Sequence, residues 1–77
     1  MKWKITPAQC RAARAILNIT QRDLADAVHF AESTVVRFER EISQMQSLRH
    51  SVLIEFFNKR GVEMIGTTGV NQKSAAS

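Results

Sequence analysis

The segment TQRDLADAVHFAESTVVRFERE, Thr20 to Glu41, constrains this chain more than any other. It holds two short amphipathic stretches separated by His29–Ala31, with neither proline nor glycine between them. Thr20 reads as the N-cap of the first stretch. Asp23, three residues on, gives a shorter relative of the capping box and an acid in the first turn, where the helix dipole favours it. Leu24, Ala25 and Val28 then recur on one helical face over about Gln21 to Val28. In the second stretch, about Glu32 to Arg40, Val35 and Phe38 point inward and leave Ser33, Thr34, Arg37 and Arg40 to solvent. Two helices joined by about three residues and supported on either side are the physical description of a helix-turn-helix.

The support comes from the flanking sequence. Thr6-Pro7 reads as an N-cap followed by proline at the first helical position, where a missing N–H costs nothing. The helix that follows runs to about Leu17. Ala8, Ala12, Ala13, Ile16 and Leu17 form its inward stripe, and Asn18-Ile19 makes a tight connection to Thr20. After the polar loop EISQMQS, a last helix is predicted over about Gln46 to Arg60. Leu48, Val52, Phe56 and Phe57 are read as its core face, widened by Leu53 or Ile54, and Gly61 fits the left-handed residue that ends it. VEMI, Val62 to Ile65, has the β-branched character of a short strand. Its predicted options are pairing with a second copy, pairing with the N-terminal arm around Trp3, or no pairing. The organisation expected is an arm over 1–5, one helical domain over 6–66 and a small, polar, flexible tail over 67–77.

With 77 residues the chain is near the lower limit at which one apolar core holds a fold without staples. Cys10 is the single cysteine, which excludes an intramolecular disulfide and suits a reducing compartment. No apolar run reaches the roughly 20 residues that span a bilayer, and the opening MKWKITPAQC lacks a signal peptide's apolar stretch. The expectation is a soluble, cytoplasmic protein without membrane contact. The net charge of +4 suits a polyanionic partner, but its distribution is uneven. The first twenty residues carry Lys2, Lys4, Arg11 and Arg14 with no acid, whereas Gln21 to Met45 sets three arginines against five acids.

In a helix-turn-helix the second helix lies in the major groove with its early residues facing base edges, while the first crosses the backbone. Gln21 opens the first helix, where its amide and the N-terminal N–H groups can both reach a phosphate. Glu32 and Ser33 open the second, and Arg37 lies one turn further along. ITQRDLADAVHFAESTVVRFERE resembles the helix-turn-helix of the phage repressor/Cro (XRE) family, with Ile19, Thr20, Gln21, Leu24, Ala25, Val28, Phe30, Thr34, Val35, Arg37, Phe38 and Glu39 in the family's register. CRAARAILNI is similar to the family's first helix, and GVEMI resembles the segment that ends many short members. The likeness covers about Thr6 to Ile65 and implies an all-α, lambda-repressor-like domain of four to five short helices, with a short C-terminal strand added.

That resemblance implies that Gln21 binds phosphate, that Glu32, Ser33 and Arg37 read bases, and that Arg14 and Glu39 form an internal ion pair. Arg22, Thr34, Arg40 and Arg11 are further candidates for phosphate contact. Three positions depart from the pattern. His29 stands where the turn usually has glycine, Ala31 replaces the usual Ser or Thr cap, and Glu41 replaces the glycine after the second helix.

Other residues point elsewhere. Cys10 reads as a small core or boundary residue and Phe30 as a plug for the turn. Trp3 reads as an exposed contact for a partner, and Lys2 and Lys4 either as an arm that reaches the DNA backbone or as a frayed terminus. His29 and His50 have no partners at metal-ligand spacing, and neither a Gly-rich phosphate loop nor a nucleophile triad is present, so no metal, cofactor or catalysis is expected. The function expected is sequence-specific binding of double-stranded DNA by a transcriptional regulator, as a homodimer on a two-fold-related operator. The alternative is a protein-interaction module of antiactivator type, using the same fold to bind another regulator.

Overall fold

A computed structural model describes residues 4–42, 44–66 and 69–72. The residues read as a basic arm and aromatic contact, Lys2 and Trp3, lie outside these, as does the tail from 73 to 77. Four helices are followed by two strands: α1 Pro7–Leu17, α2 Gln21–Val28, α3 Glu32–Glu39, α4 Ser47–Lys59, β1 Val62–Ile65 and β2 Gly69–Gln72. No helix among the described residues is long and apolar enough to cross a membrane.

The local sequence explains where each helix begins and ends. Thr6 and Gln9 form a full capping box at the start of α1: the Gln9 N–H donates to Thr6 Oγ1 at 3.2 Å and the Thr6 N–H donates to Gln9 Oε1 at 3.0 Å. Thr20 and Asp23 do the same for α2, and the bonds from the Thr20 backbone and side chain hold the Asp23 carboxyl below its ordinary pKa. Left-handed residues end the first three helices: Asn18 (φ 57°), His29 (φ 63°) and Glu41 (φ 61°). His29 and Glu41 therefore adopt the left-handed backbone that glycine takes most readily, a modest strain that a side chain carries and glycine does not. Both ends are also closed by a bond characteristic of this turn, Phe30 N–H to Ala25 O at 2.8 Å and Ile42 N–H to Arg37 O at 2.9 Å. The ends of α3 and α4 fall one residue inside the predicted spans.

The core is one cluster to which every helix contributes: Ile5, Cys10, Ala13, Leu24, Ala25, Val35, Leu53, Phe57 and Val62 are almost wholly buried. Here α4 departs from expectation. Of the residues read as its core face, Phe57 and Leu53 are fully buried and Phe56 is half-buried against the core, but Leu48 is 77% exposed and Val52 37% exposed, so the first half of that stripe lies at the surface. The residues that α4 buries are His50, Leu53 and Phe57. Apolar periodicity identifies a stripe but not the side of the helix on which the rest of the chain packs, and the buried line begins with a histidine that reads as polar.

The second correction concerns the C-terminal strand. VEMI finds its partner within the chain: β2, lying inside the stretch read as a flexible tail from 67, pairs with it antiparallel, Val62 opposite Gln72 and Ile65 opposite Gly69. The fold is thus mostly helical with a two-stranded sheet rather than all-α. The sequence GVNQ is too short and too polar to announce a strand, and it is held by a residue distant in sequence. Gln9, fully buried on α1, directs Nε2 at the carbonyls of Ile65 (3.3 Å), Gly66 (3.0 Å) and Gly69 (2.9 Å).

One side chain therefore caps α1 through its oxygen and anchors the hairpin through its nitrogen. Gln9→Ala is expected to lower the unfolding free energy by about 1–3 kcal/mol, the cost of leaving buried acceptors unmet. Gln9→Glu keeps the cap but turns a negative oxygen toward those carbonyls and should cost at least as much. Denaturant unfolding measures both losses, and amide exchange over 62–72 should rise in each variant before it rises in α2.

Candidate nucleic-acid interface

The pair α2 and α3 packs closely through Leu24, Ala25 and Val28 on one side and Val35 and Phe38 on the other. Phe30, in the three-residue connection, is half-buried against the same core, and the Arg49 guanidinium of α4 stacks over its ring, 5.4 Å from the centroid. The connection is thus fixed from inside and outside.

On α3, Glu32, Ser33, Arg37 and Arg40 are exposed and Thr34 is half-buried. Ser33 and Arg37 are one turn apart and share a face, with Arg40 three residues beyond. Ala31 has extended backbone and no side chain on the first-turn amides, so the N-terminal N–H groups of α3 are not closed off by a cap. Arg22 is exposed on α2.

Behind this surface lies a buried polar cluster centred on Glu39, the last residue of α3, whose side chain is 2% exposed. Arg14 of α1 grips it with two bonds, Nε to Oε2 and Nη2 to Oε1, each 2.7 Å, and its Nη1 donates to the Ile19 carbonyl at 3.1 Å. Gln21 Nε2 donates to Oε1 at 3.0 Å, and the Cys10 thiol donates to Oε2 at 3.0 Å. Burial acts to raise the Glu39 pKa, but the bonds from Arg14, Cys10 and Gln21 and the charge of Arg14 outweigh it and hold the carboxyl below its ordinary value. Burial also pushes the Cys10 thiol far up, reinforced by its bond to Glu39 and by that carboxylate's charge, so the sulfur stays protonated and serves as a donor. The bond to Glu39 raises the Arg14 pKa further.

This cluster ties α3 to α1 and to the start of α2 at one point. Arg11 adds a second tie, donating from Nη1 to the Glu39 backbone carbonyl at the C-terminal end of α3. Two side chains expected to meet phosphate are therefore already engaged within the protein: the Gln21 amide nitrogen on Glu39 and an Arg11 nitrogen on the α3 terminus. At the N-terminus of α2 the amide of Asp23 is taken by Thr20, whereas those of Gln21 and Arg22 have no intrahelical partner.

Among the described residues no group of three or more His, Cys, Asp or Glu could hold a metal ion. Three residues important to this arrangement were not assigned these roles by sequence reasoning. Cys10 as a buried donor left no signal. Gln9 could have been found, because T-x-x-Q before an apolar stripe is a capping box. His50, between Arg49 and Ser51, reads as one more polar residue of α4. No protein-family model matches the chain, and no curated protein matches it.

Proposed function

We propose that the chain is a helix-turn-helix transcriptional regulator that binds double-stranded DNA sequence-specifically, with α3 in the major groove. The observation that carries this reading is the Glu39 cluster: it fixes α3 from behind, through α1 and α2, while Glu32, Ser33 and Arg37 remain exposed on the α3 surface. A reading helix needs that combination, because base discrimination requires side chains placed to a fraction of an ångström by a frame that does not yield.

In this reading Arg37 offers a guanidinium that can take guanine O6 and N7 together, and Glu32 can accept from the amino group of cytosine. Ser33 donates or accepts beside them. Phosphate contacts come from Arg22, Thr34 and Arg40, from the free nitrogens of Arg11 and from the backbone N–H groups of Gln21 and Arg22. The Gln21 side chain holds α3 through Glu39 with one amide hydrogen, and its second amide hydrogen is a further donor for phosphate. A single reader of this size makes few base contacts, so affinity and specificity come from a homodimer on half-sites about one helical turn apart. Leu48 and Val52, exposed on α4, are the apolar surface that suits such pairing.

Selection of bound duplexes from a random pool tests this directly. The expected product is a two-fold-related motif, and Arg37→Ala should lose about 1–3 kcal/mol of discrimination at one position of each half-site. Enrichment of no motif, or an Arg37→Ala variant that selects the same motif as its parent, contradicts the assignment.

A further inference from the structure

His50 is the one buried histidine among the described residues, 7% exposed, and it joins three parts of the chain. Its Nδ1 accepts from the Ile5 N–H at 3.1 Å, and its Nε2 lies 3.1 Å from the Met45 carbonyl. Its ring edge meets Phe38 of α3 at a centroid distance of 5.5 Å. Ile5 is a core residue of the segment leading into α1, and Met45 is a buried residue of the connection between α3 and α4. The two bonds fix the ring chemistry. A backbone N–H only donates and a carbonyl only accepts, so both are satisfied by the neutral ring with its proton on Nε2 and by no other form.

We propose that His50 is an acid-sensitive latch: its neutral ring holds the segment around Ile5 and the α3–α4 connection onto α4, and protonation releases Ile5 and opens the cleft between them. A proton on Nδ1 turns an acceptor into a donor that faces the Ile5 N–H, so that bond is lost and two donors are left opposed in a buried site. The opening route is visible as a cleft of about 680 Å³ beside the ring, lined by Lys4 to Pro7 on one side and by Glu41, Ile42 and Gln44–Ser47 on the other.

The charges facing the ring favour release. Lys4, on the segment to be released, adds a like charge to a protonated ring. Glu41, from the α3–α4 connection, is the only acid lining the cleft among the described residues, and it is exposed to solvent. Arg49, next to His50 on α4, stacks over Phe30 instead. α1 and α3 bring only Pro7 and Phe38 to this cleft. Burial holds the His50 pKa below its ordinary 6.5; Lys4 acts in the same direction and the Met45 carbonyl against it. With a folded-state value below the unfolded one, this group's contribution to stability is fully present above pH 6.5 and is lost as pH falls through the folded-state value. The latch works whether or not α3 reads DNA.

NMR on the isotope-labelled chain between about pH 8 and pH 5 tests it, since ring nitrogens and the Ile5 amide are observed separately. The expected result is an unprotonated Nδ1 at the alkaline end, a His50 midpoint below 6.5, and an opening constant at the Ile5 amide that rises by up to tenfold per pH unit as the proton is taken up. His50→Gln keeps an acceptor and a donor without titrating, and its Ile5 amide should show no such rise. If that variant does not fold, the parent still decides the matter. A proton on Nδ1 at the alkaline end, a midpoint at or above 6.5, or an Ile5 amide unchanged while His50 titrates overturns the latch, as does a His50→Gln variant that opens with acid as its parent does.

Discussion

Replacing Glu39 with alanine is expected to lower the unfolding free energy by about 3–5 kcal/mol, because breaking a buried pair leaves its partner's charge uncompensated. The effect is large here for a structural reason. Arg14, 18% exposed, loses both carboxylate bonds, and Gln21 Nε2 and the Cys10 thiol lose their acceptor in the same step. Domains of this size hold only about 5–15 kcal/mol in total, so the variant should melt tens of degrees lower or fail to fold at physiological temperature.

The intact pair is not itself a large source of stability, since desolvation offsets much of its attraction. Joint replacement by apolar residues, Arg14→Met with Glu39→Leu, should therefore recover most of the loss in stability while giving up the fixed placement of α3. The wild-type carboxylate also sets the acid limb. Its pKa is depressed on folding, so its contribution is present above the unfolded value of 4.5 and is lost as pH falls through the folded one. The Glu39→Ala variant should lack that limb. Denaturant titrations of the three proteins across this pH range measure all of this, and a loss under about 1 kcal/mol in the single variant would mean that the pair is solvated.

The second large effect lies on α4. Phe57→Ala should cost about 3–5 kcal/mol, the range for truncating a buried aromatic and leaving a cavity. Phe57 is fully buried and meets Phe56 edge to face at 5.3 Å. Leu48→Ala, on the same helix, should change the stability of the monomer by no more than about 0.5 kcal/mol, because Leu48 has little contact to lose. The two variants measured side by side by urea unfolding distinguish the observed orientation of α4 from the one its apolar spacing suggests. Similar losses in both would mean that the helix is rotated in solution.

That contrast shows what could and could not be read from the amino acids. Helix positions were legible because their caps are local chemistry: Thr6-Pro7, Thr20 with Asp23, and Gly61 each act within a few residues, and the helices lie within one residue of the spans they predict. The inward residues of α2 and α3 were legible because each short helix has only one apolar stripe. α4 has two, Leu48–Val52–Phe56 and Leu53–Phe57, and only packing against Ile5, Phe38 and the hairpin selects between them. β2 was illegible for a related reason. Its four residues carry almost no propensity, and what holds them is the pairing with β1 and the Gln9 amide, both non-local.

The interface residues divide in the same way. Of the residues that helical periodicity left to solvent, Ser33, Arg37 and Arg40 stand exposed and Thr34 is half-buried; Glu32 and Arg22 are exposed as well. Arg11 and Gln21 were read as surface groups too, but periodicity does not reveal that a long polar side chain folds back to a carboxylate or a carbonyl two elements away. The left-handed residues His29 and Glu41 show that a backbone requirement can be met without glycine when the turn's own hydrogen bonds hold it.

Whether α3 meets DNA is tested most directly by measuring the binding of this chain to random-sequence duplex DNA as a function of salt. Neutralising phosphates releases counterions, so the logarithm of the binding constant should fall linearly with the logarithm of salt concentration, by about 0.9 for each phosphate contacted. Arg22→Ala should make that slope shallower by about one contact, whereas Glu55→Ala on the far helix should leave it unchanged. Absence of measurable binding at about 50 mM salt, or a slope near zero, would contradict DNA recognition. That result would leave the exposed face of α3 as a surface for another protein.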